Sequence, residues 1–263
     1  MNNIAVYTVN SSPKYFENLN LNVKMINSQG IDHVIISNCG YKNDSAKIYY
    51  FNFTYFNEAF YFSQDIIKRY DYIMLLDDDD MFSNEKIPVI KELIYRFHQN
   101  NEAIDYIHNK ASYDCNYPYN NINHNNSCIT VKTTSIDFRL YQKTRSLSDF
   151  LLWLSCRNHI DLENRAGVLT VIPCKKMNYE DFSHYMNSRY SLRYEDLVFL
   201  FYNFPEYRIH IKKELFKYAI ILHKNRLKYL SIRFDKFTIL HFYKPTDWYI
   251  RREYELMNSD VIK

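Results

Sequence analysis

The sequence predicts an α/β protein with a mainly parallel central sheet, helices on both faces and a helical C-terminal extension. Short, near-continuous apolar runs rich in β-branched residues recur in the first half of the chain, at Ile4–Val9, His33–Ser37 and Tyr72–Leu76. Runs of that kind suit strands buried on both faces. Between the second and third of these runs, residues 55–70 return their apolar residues at helical spacing, as expected of a crossover helix. The chain has 263 residues, enough to enclose such a core as one large domain.

Ile4–Val9 (IAVYTV) reads as a buried strand running into the loop Asn10-Ser11-Ser12-Pro13. His33–Ser37 repeats the pattern and ends at Asn38, Cys39 and Gly40, and Ile48–Phe53 is a third strand. Residues 55–70 place Tyr55, Phe56, Ala59, Phe60, Ser63, Ile66 and Ile67 on one helical stripe. Tyr72–Leu76 is a fourth strand that runs straight into Asp77-Asp78-Asp79-Asp80, and a helix follows over 86–99. Residues 109–128 hold seven asparagines and no glycine, which reads as an irregular loop. Helical periodicity returns over 147–158, and Val168–Ile172 is a strand ended by Pro173. Tyr194–Asn203 is helical and stops before Pro205. A basic amphipathic helix is expected over 212–230, and Phe237–Phe242 is a last strand. In parallel sheets ligands gather at the carboxyl ends of strands. Thr8 with Asn10, Ser37 with Asn38, and the aspartate run all stand at such ends.

Composition excludes several classes. Three glycines (Gly30, Gly40 and Gly167) replace the roughly 7% that is usual. None are spaced for a P-loop or a G-x-G-x-x-G turn, so any bound phosphate must be held by something other than glycine-rich backbone. Net charge is +3, but residues 208–252 carry twelve Lys/Arg against three acidic residues, a net of +9 that leaves −6 elsewhere. That split suits either an anionic partner near the C-terminal part or a solvated basic face. Five cysteines without C-x-x-C spacing read as small buried hydrophobes in a reducing, cytoplasmic setting. The opening MNNIAVYTVN does not have the form of a signal peptide, and no apolar run reaches the length of a membrane span.

Four consecutive aspartates at the end of an apolar strand are the strongest chemical signal. Like charges so crowded are costly unless a cation or hydrogen-bond donors compensate. Oxygen-only ligands suit Mg²⁺ or Mn²⁺, which keep positions open for water and substrate phosphates. In an extended segment Asp77 and Asp79 would face one way and Asp78 and Asp80 the other. The competing reading is an exposed acidic turn that caps the following helix.

The segment MLLDDDDMFSNEKI resembles the D-x-D region of family 2 glycosyltransferases of GT-A fold. Ile4–Asn10 is similar to the family's opening strand, whose end borders the nucleotide base. Val34–Gly40 is similar to its second strand, with Ser37 and Asn38 where acidic residues are usual. Phe56-Asn57-Glu58-Ala59 resembles the family's "RN-x-G/A", and Arg69–Ile73 the run that leads into its aspartates. Arg193–Phe199 (RYEDLVF) resembles its Glu-Asp motif, and Thr238–Glu253 a "H…YY-x-x-R-N" ending.

The resemblance implies a metal site of Asp77, Asp79 and His241 for Mn²⁺ or Mg²⁺. It further implies nucleotide-sugar contacts from Thr8, Asn10, Asn38, Asn57, Asp77, Asp78, Arg251 and Arg252, with Tyr249 nearby. Asp196 would be the general base and Glu195 its neighbour that tunes it or binds the acceptor. The competing reading of Glu195 and Asp196 is helix-dipole stabilisation in a first turn. Of the two tryptophans, Trp248 is the better candidate for stacking on a sugar, ahead of Trp153. Residues 1–105 would form the nucleotide-sugar half, 106–207 the acceptor half, and 208–263 a basic segment packed on them.

The expected activity is metal-dependent, inverting transfer of a sugar from a nucleoside-diphosphate sugar to a hydroxyl. The acceptor would be a glycan, a lipid-linked glycan or a protein, and no nucleic acid is expected as partner. A metal-dependent nuclease or phosphotransferase, and a non-catalytic nucleotide- or sugar-binding relative, are the alternatives. The 212–230 helix could touch a membrane surface, although Phe216, Ile220, Ile221 and Leu227 read better as packed on the core.

Overall fold

In the computed structural model the described residues are 3–109, 111–113, 126–162, 169–172 and 179–221. They belong to two compact units, residues 1–143 with 148–174, and residues 144–147 with 175–263.

The first unit holds every described strand. Its elements are β1 (Ile4–Asn10), α1 (Phe16–Ser28), β2 (Asp32–Ser37), β3 (Lys47–Tyr50), α2 (Phe56–Phe62), α3 (Gln64–Ile67), β4 (Tyr72–Leu75) and β5 (Met81–Phe82). There follow α4 (Lys86–Gln99), β6 (Tyr106–His108), β7 (Ala111–Tyr113), β8 (Ile129–Lys132), α5 (Ser148–Ser155), β9 (His159–Asp161) and β10 (Thr170–Ile172). Seven strands form one sheet in the order β3-β2-β1-β4-β8-β6-β9, and β5-β10-β7 form a small second one. β1 pairs parallel with β2 and β4, and β2 with β3. β8 is antiparallel to both β4 and β6, while β6 and β9 are parallel. The sheet is thus mostly parallel but mixed.

Alternation along β1 sorts its side chains between two helical layers. Ile4 and Val6 join Tyr72 and Met74 of β4 beneath Ile26 of α1 and Ile87, Ile90 and Ile94 of α4. On the other face Tyr7 meets Phe60 of α2 edge-on, with ring centroids 5.4 Å apart. Phe60 also stacks on Phe138 at 5.5 Å and leans on Tyr141 at 4.8 Å. Helices therefore cover both faces, as expected.

Some elements differ from the sequence-based expectation, each for a local reason. The helix expected over 55–70 is broken into α2 and α3 at Ser63. Its hydroxyl donates to the Ala59 carbonyl at 2.8 Å and pairs with the Tyr7 phenol at 2.7 Å, an alternative to helix continuation that serine readily takes. The stretch expected to be an irregular loop over 109–128 begins with β7 and ends in a one-turn 3-10 helix, Asn126–Cys128. β7 owes its form to parallel pairing with β10, not to any periodicity of its own. Helix α1 was not apparent in the sequence because Asn22 interrupts its buried stripe of Leu19, Val23 and Ile26.

The second unit contains α6 (Tyr179–Asn203) and α7 (Arg208–Ile221), separated by a 3-10 turn at Pro205–Tyr207. Leu197 and Leu200 of α6 and Ile211 and Leu215 of α7 are fully buried, and the two helices pack on each other. α6 starts fifteen residues before the expected 194: Met186 and Tyr190, one helical turn apart, are buried in its earlier part and continue the line of Tyr194 and Leu197, although polar residues surround them in sequence. The expected helix over 212–230 begins at 208, and its part beyond 221 lies outside the described residues, as does the strand expected at Phe237–Phe242. Among the described residues no helix is long and apolar enough to cross a membrane.

Candidate functional site

Strand β4 delivers the aspartates at the carboxyl end of the parallel half of the sheet. The Leu76 N–H donates to the Tyr7 carbonyl, and then the chain turns, the Asp80 N–H donating to the Asp77 carbonyl at 3.1 Å. The four aspartates therefore form a turn and not the extended segment expected, so strand alternation does not sort their side chains. The cause is the return of the chain into β5, which pairs antiparallel with β10.

Asparagine carboxamides hold this turn. Asn10, at the end of β1, donates to Asp78 Oδ2 at 2.8 Å. Asn18 of α1 donates to the carbonyls of Asp78 and Asp80, and Asn22, one helical turn on, to the Asp80 carbonyl, all at 2.9 Å. Asn126 donates to Asp77 Oδ1 at 3.2 Å, while the Asp77 N–H donates to Ser127 Oγ at 2.8 Å. Burial, reinforced by the negative charge of Asp80 and Asp79, raises the Asp77 carboxyl to about 8 against the pull of Asn126.

Asp77 and Asp79 fit a hard divalent cation in their chemistry. They offer only oxygen, and the crowding that raises Asp77 is the burden a cation relieves. Among the described residues no three His, Cys, Asp or Glu are grouped to hold a metal ion. His241, the third ligand implied by the resemblance, lies outside them, with Trp248, Tyr249, Arg251 and Arg252.

The other expected nucleotide-sugar residues differ in their placement. Asn10 links three elements, since its Oδ1 also accepts from Ser37 Oγ at 3.3 Å and Cys39 Sγ at 2.8 Å. Thr8 is buried, its hydroxyl 3.0 Å from His33 Nε2 within the fold. Asn38 donates to the Phe53 carbonyl at 2.8 Å, tying the end of β2 to the segment after β3. Asn57 is fully buried in the first turn of α2. Trp153 is a half-buried ring stacked on Phe150 at 6.0 Å.

In the second unit, Asp196 is only 2% exposed. Its Oδ2 accepts from the Arg145 N–H at 2.9 Å and from both the Ser146 N–H and Oγ at 2.7 Å. Arg145 Nη2 donates to Glu195 Oε2 at 2.8 Å. Burial raises the Asp196 carboxyl above the ordinary range even though these donors lower it. The neighbouring Leu147 has φ of 65°, a left-handed conformation that costs a leucine of order 1 kcal/mol or more. A buried carboxylate with a raised proton affinity is chemically suited to accept a proton.

Asn18, Asn22, Asn126, Ser127 and Lys86 around the turn were not singled out from the sequence.

No protein-family model matches the chain, and no curated protein matches it either. Among solved structures, S. aureus TarS aligns with 90% of this chain at 10% identity and a TM-score of 0.51. The chain spans 47% of that protein's length. A shorter TarS, residues 1–349, aligns over 90% of this chain and 77% of its own at 11% identity and a TM-score of 0.54. A glycosyltransferase involved in glycosylation of the major capsid of PBCV-1 aligns over 68% of this chain at 11% identity, but its TM-score of 0.37 adds nothing to the fold assignment. These likenesses concern the fold, which is α/β and of GT-A type.

Proposed function

We propose that the protein is a nucleotide-sugar transferase. More particularly, we read it as a divalent-metal-dependent glycosyltransferase related to family 2. The observation that carries this reading is the aspartate turn at the carboxyl end of β4, where burial and like charge raise Asp77 to about 8.

Glycosyl transfer must stabilise a diphosphate leaving group and activate an acceptor hydroxyl. Asp77 and Asp79, with His241, would hold Mn²⁺ or Mg²⁺, which supplies Lewis-acid neutralisation of phosphate charge when bound. Asn10 orients Asp78 and so shapes the turn that meets the donor. Arg251 and Arg252 carry charge suited to the diphosphate, a task that glycine-rich backbone cannot perform in this chain. Asp196 would take the proton of the acceptor hydroxyl, and Arg145 and Ser146 fix its orientation. The acceptor would be a glycan, a lipid-linked glycan or a protein.

Isothermal titration with Mn²⁺ and a panel of UDP, GDP, CDP and dTDP tests the reading. One diphosphate should bind, and only with metal present. Asp79→Ala should abolish that binding, whereas Asp196→Asn should keep it and lose turnover. Equal nucleotide binding by Asp79→Ala would overturn the metal assignment. A second reading, a non-catalytic nucleotide-sugar binder, draws on the three donors that already occupy Asp196 Oδ2. It requires metal-dependent binding with no turnover in the wild-type protein on any acceptor class.

A further inference from the structure

Lys86 is the first residue of α4 and is fully buried. A charged ammonium is rarely enclosed so completely unless it has partners. Its Nζ donates to the Ser127 carbonyl and, at 3.2 Å, to Thr170 Oγ1. It also lies 3.7 Å from the centroid of the Phe82 ring. Thr170 Oγ1 donates in turn to the same Ser127 carbonyl at 2.8 Å and accepts from Asn109 Nδ2 at 3.0 Å. Two side chains distant in sequence, Lys86 and Thr170, therefore close on one carbonyl, with Asn109 holding Thr170 from behind.

That carbonyl belongs to the residue that grips the aspartate turn. Ser127 Oγ accepts the Asp77 N–H, and its neighbour Asn126 donates to Asp77 Oδ1. Asn126 is itself braced, its Oδ1 accepting from Ser148 Oγ of α5 at 2.9 Å. A methionine would fill the space of Lys86 without the cost of burying an amine, so packing alone does not account for lysine here.

We propose that Lys86 is a positioning residue for the aspartate turn, acting on Asp77 through Ser127. The ammonium pins the Ser127 carbonyl, the pinned residue presents its hydroxyl to the Asp77 N–H, and the start of the turn is fixed relative to α4 and β10. Burial lowers Lys86 to about 7, opposed by the nearby Cys128 and Asp80, so its side chain sits close to the balance between amine and ammonium at neutral pH. The consequence for metal and diphosphate rests on the function proposed above; the coupling from Lys86 to Asp77 does not.

The test measures amide hydrogen exchange in metal-free wild-type protein, Lys86→Met, Ser127→Ala and the double variant, with Mn²⁺ affinity by electron paramagnetic resonance alongside. Loss of a buried hydrogen bond of this kind should speed exchange of the Asp77 amide about tenfold, with the amides of β1 unchanged. Mn²⁺ binding should weaken by a similar factor in both single variants, and the double variant should lose no more than either. Uniformly faster exchange across the unit, or additive losses, would show a merely structural lysine and overturn the proposal. Should the wild type bind no Mn²⁺, the metal reading fails while the Asp77 amide still decides the role of Lys86. If Lys86→Met does not fold, Lys86→Gln, which loses the charge and keeps a polar end, carries the same comparison.

Discussion

Replacing Asp77 by asparagine should stabilise the metal-free protein. In the folded state burial and the charges of Asp80 and Asp79 raise this carboxyl from 3.8 to about 8. At 1.36 kcal/mol per unit, holding it ionised above pH 8 costs at most about 6 kcal/mol. Asp77 as a residue is only part-buried and the turn can relax, so a gain of about 1–3 kcal/mol is expected from Asp77→Asn. The sign with pH is fixed. Between pH 4 and 8 the folded state binds more protons at this site than the unfolded chain does, so the site lowers stability as pH rises through that window. The advantage of the variant should therefore be small at pH 5 and full at pH 8.5. Urea denaturation in EDTA at both values reads it directly. Saturating Mn²⁺ should reverse the order by stabilising the wild type and leaving the variant unmoved. An asparagine variant no more stable than wild type at pH 8.5, or a gain that shrinks with pH, would refute the view that crowded charge burdens this turn.

Two further predictions concern the core that supports the site. His33 is buried without charge, and burial lowers it from 6.5 to about 3. In that window the unfolded chain binds the extra proton, so the stability tied to neutral His33 is complete above pH 6.5 and is lost as pH falls. His33→Gln should flatten the acid limb of the stability curve by up to about 2–3 kcal/mol between pH 6.5 and 4.5, and an unchanged limb would show that His33 is not the titrating group. Phe60→Ala should cost about 3–5 kcal/mol, since Phe60 joins Tyr7, Phe138 and Tyr141; thermal denaturation by circular dichroism would expose a smaller loss.

The parallel half of the fold was readable because β1, β2 and β4 are covered on both faces and must be apolar throughout. β6, β8 and β9 escaped notice because three or four residues are too few to show a period, and only pairing with neighbours makes them strands. The aspartates were conspicuous as acids at a strand end, but their turn depends on the Asp80 N–H and on β5, which local sequence does not announce. The clamps were hidden by abundance. With 28 asparagines in the chain, nothing in the sequence marks Asn10, Asn18, Asn22 and Asn126 as the four that converge on one loop. Nothing in the sequence sets Lys86 apart from other lysines, and only its enclosure by Ser127, Thr170 and Phe82 reveals its place.

The choice of carboxamides for these clamps has its own consequence. An amide grips an oxygen without cancelling its charge, whereas arginine or lysine in the same place would hold the loop and quench it together. Shape and charge are thereby under separate control: the turn can be held rigid while staying an electrostatic sink, ready for whatever cation arrives. A single exchange of Asn10 for a basic residue would merge the two, giving a calmer protein with a blunted site.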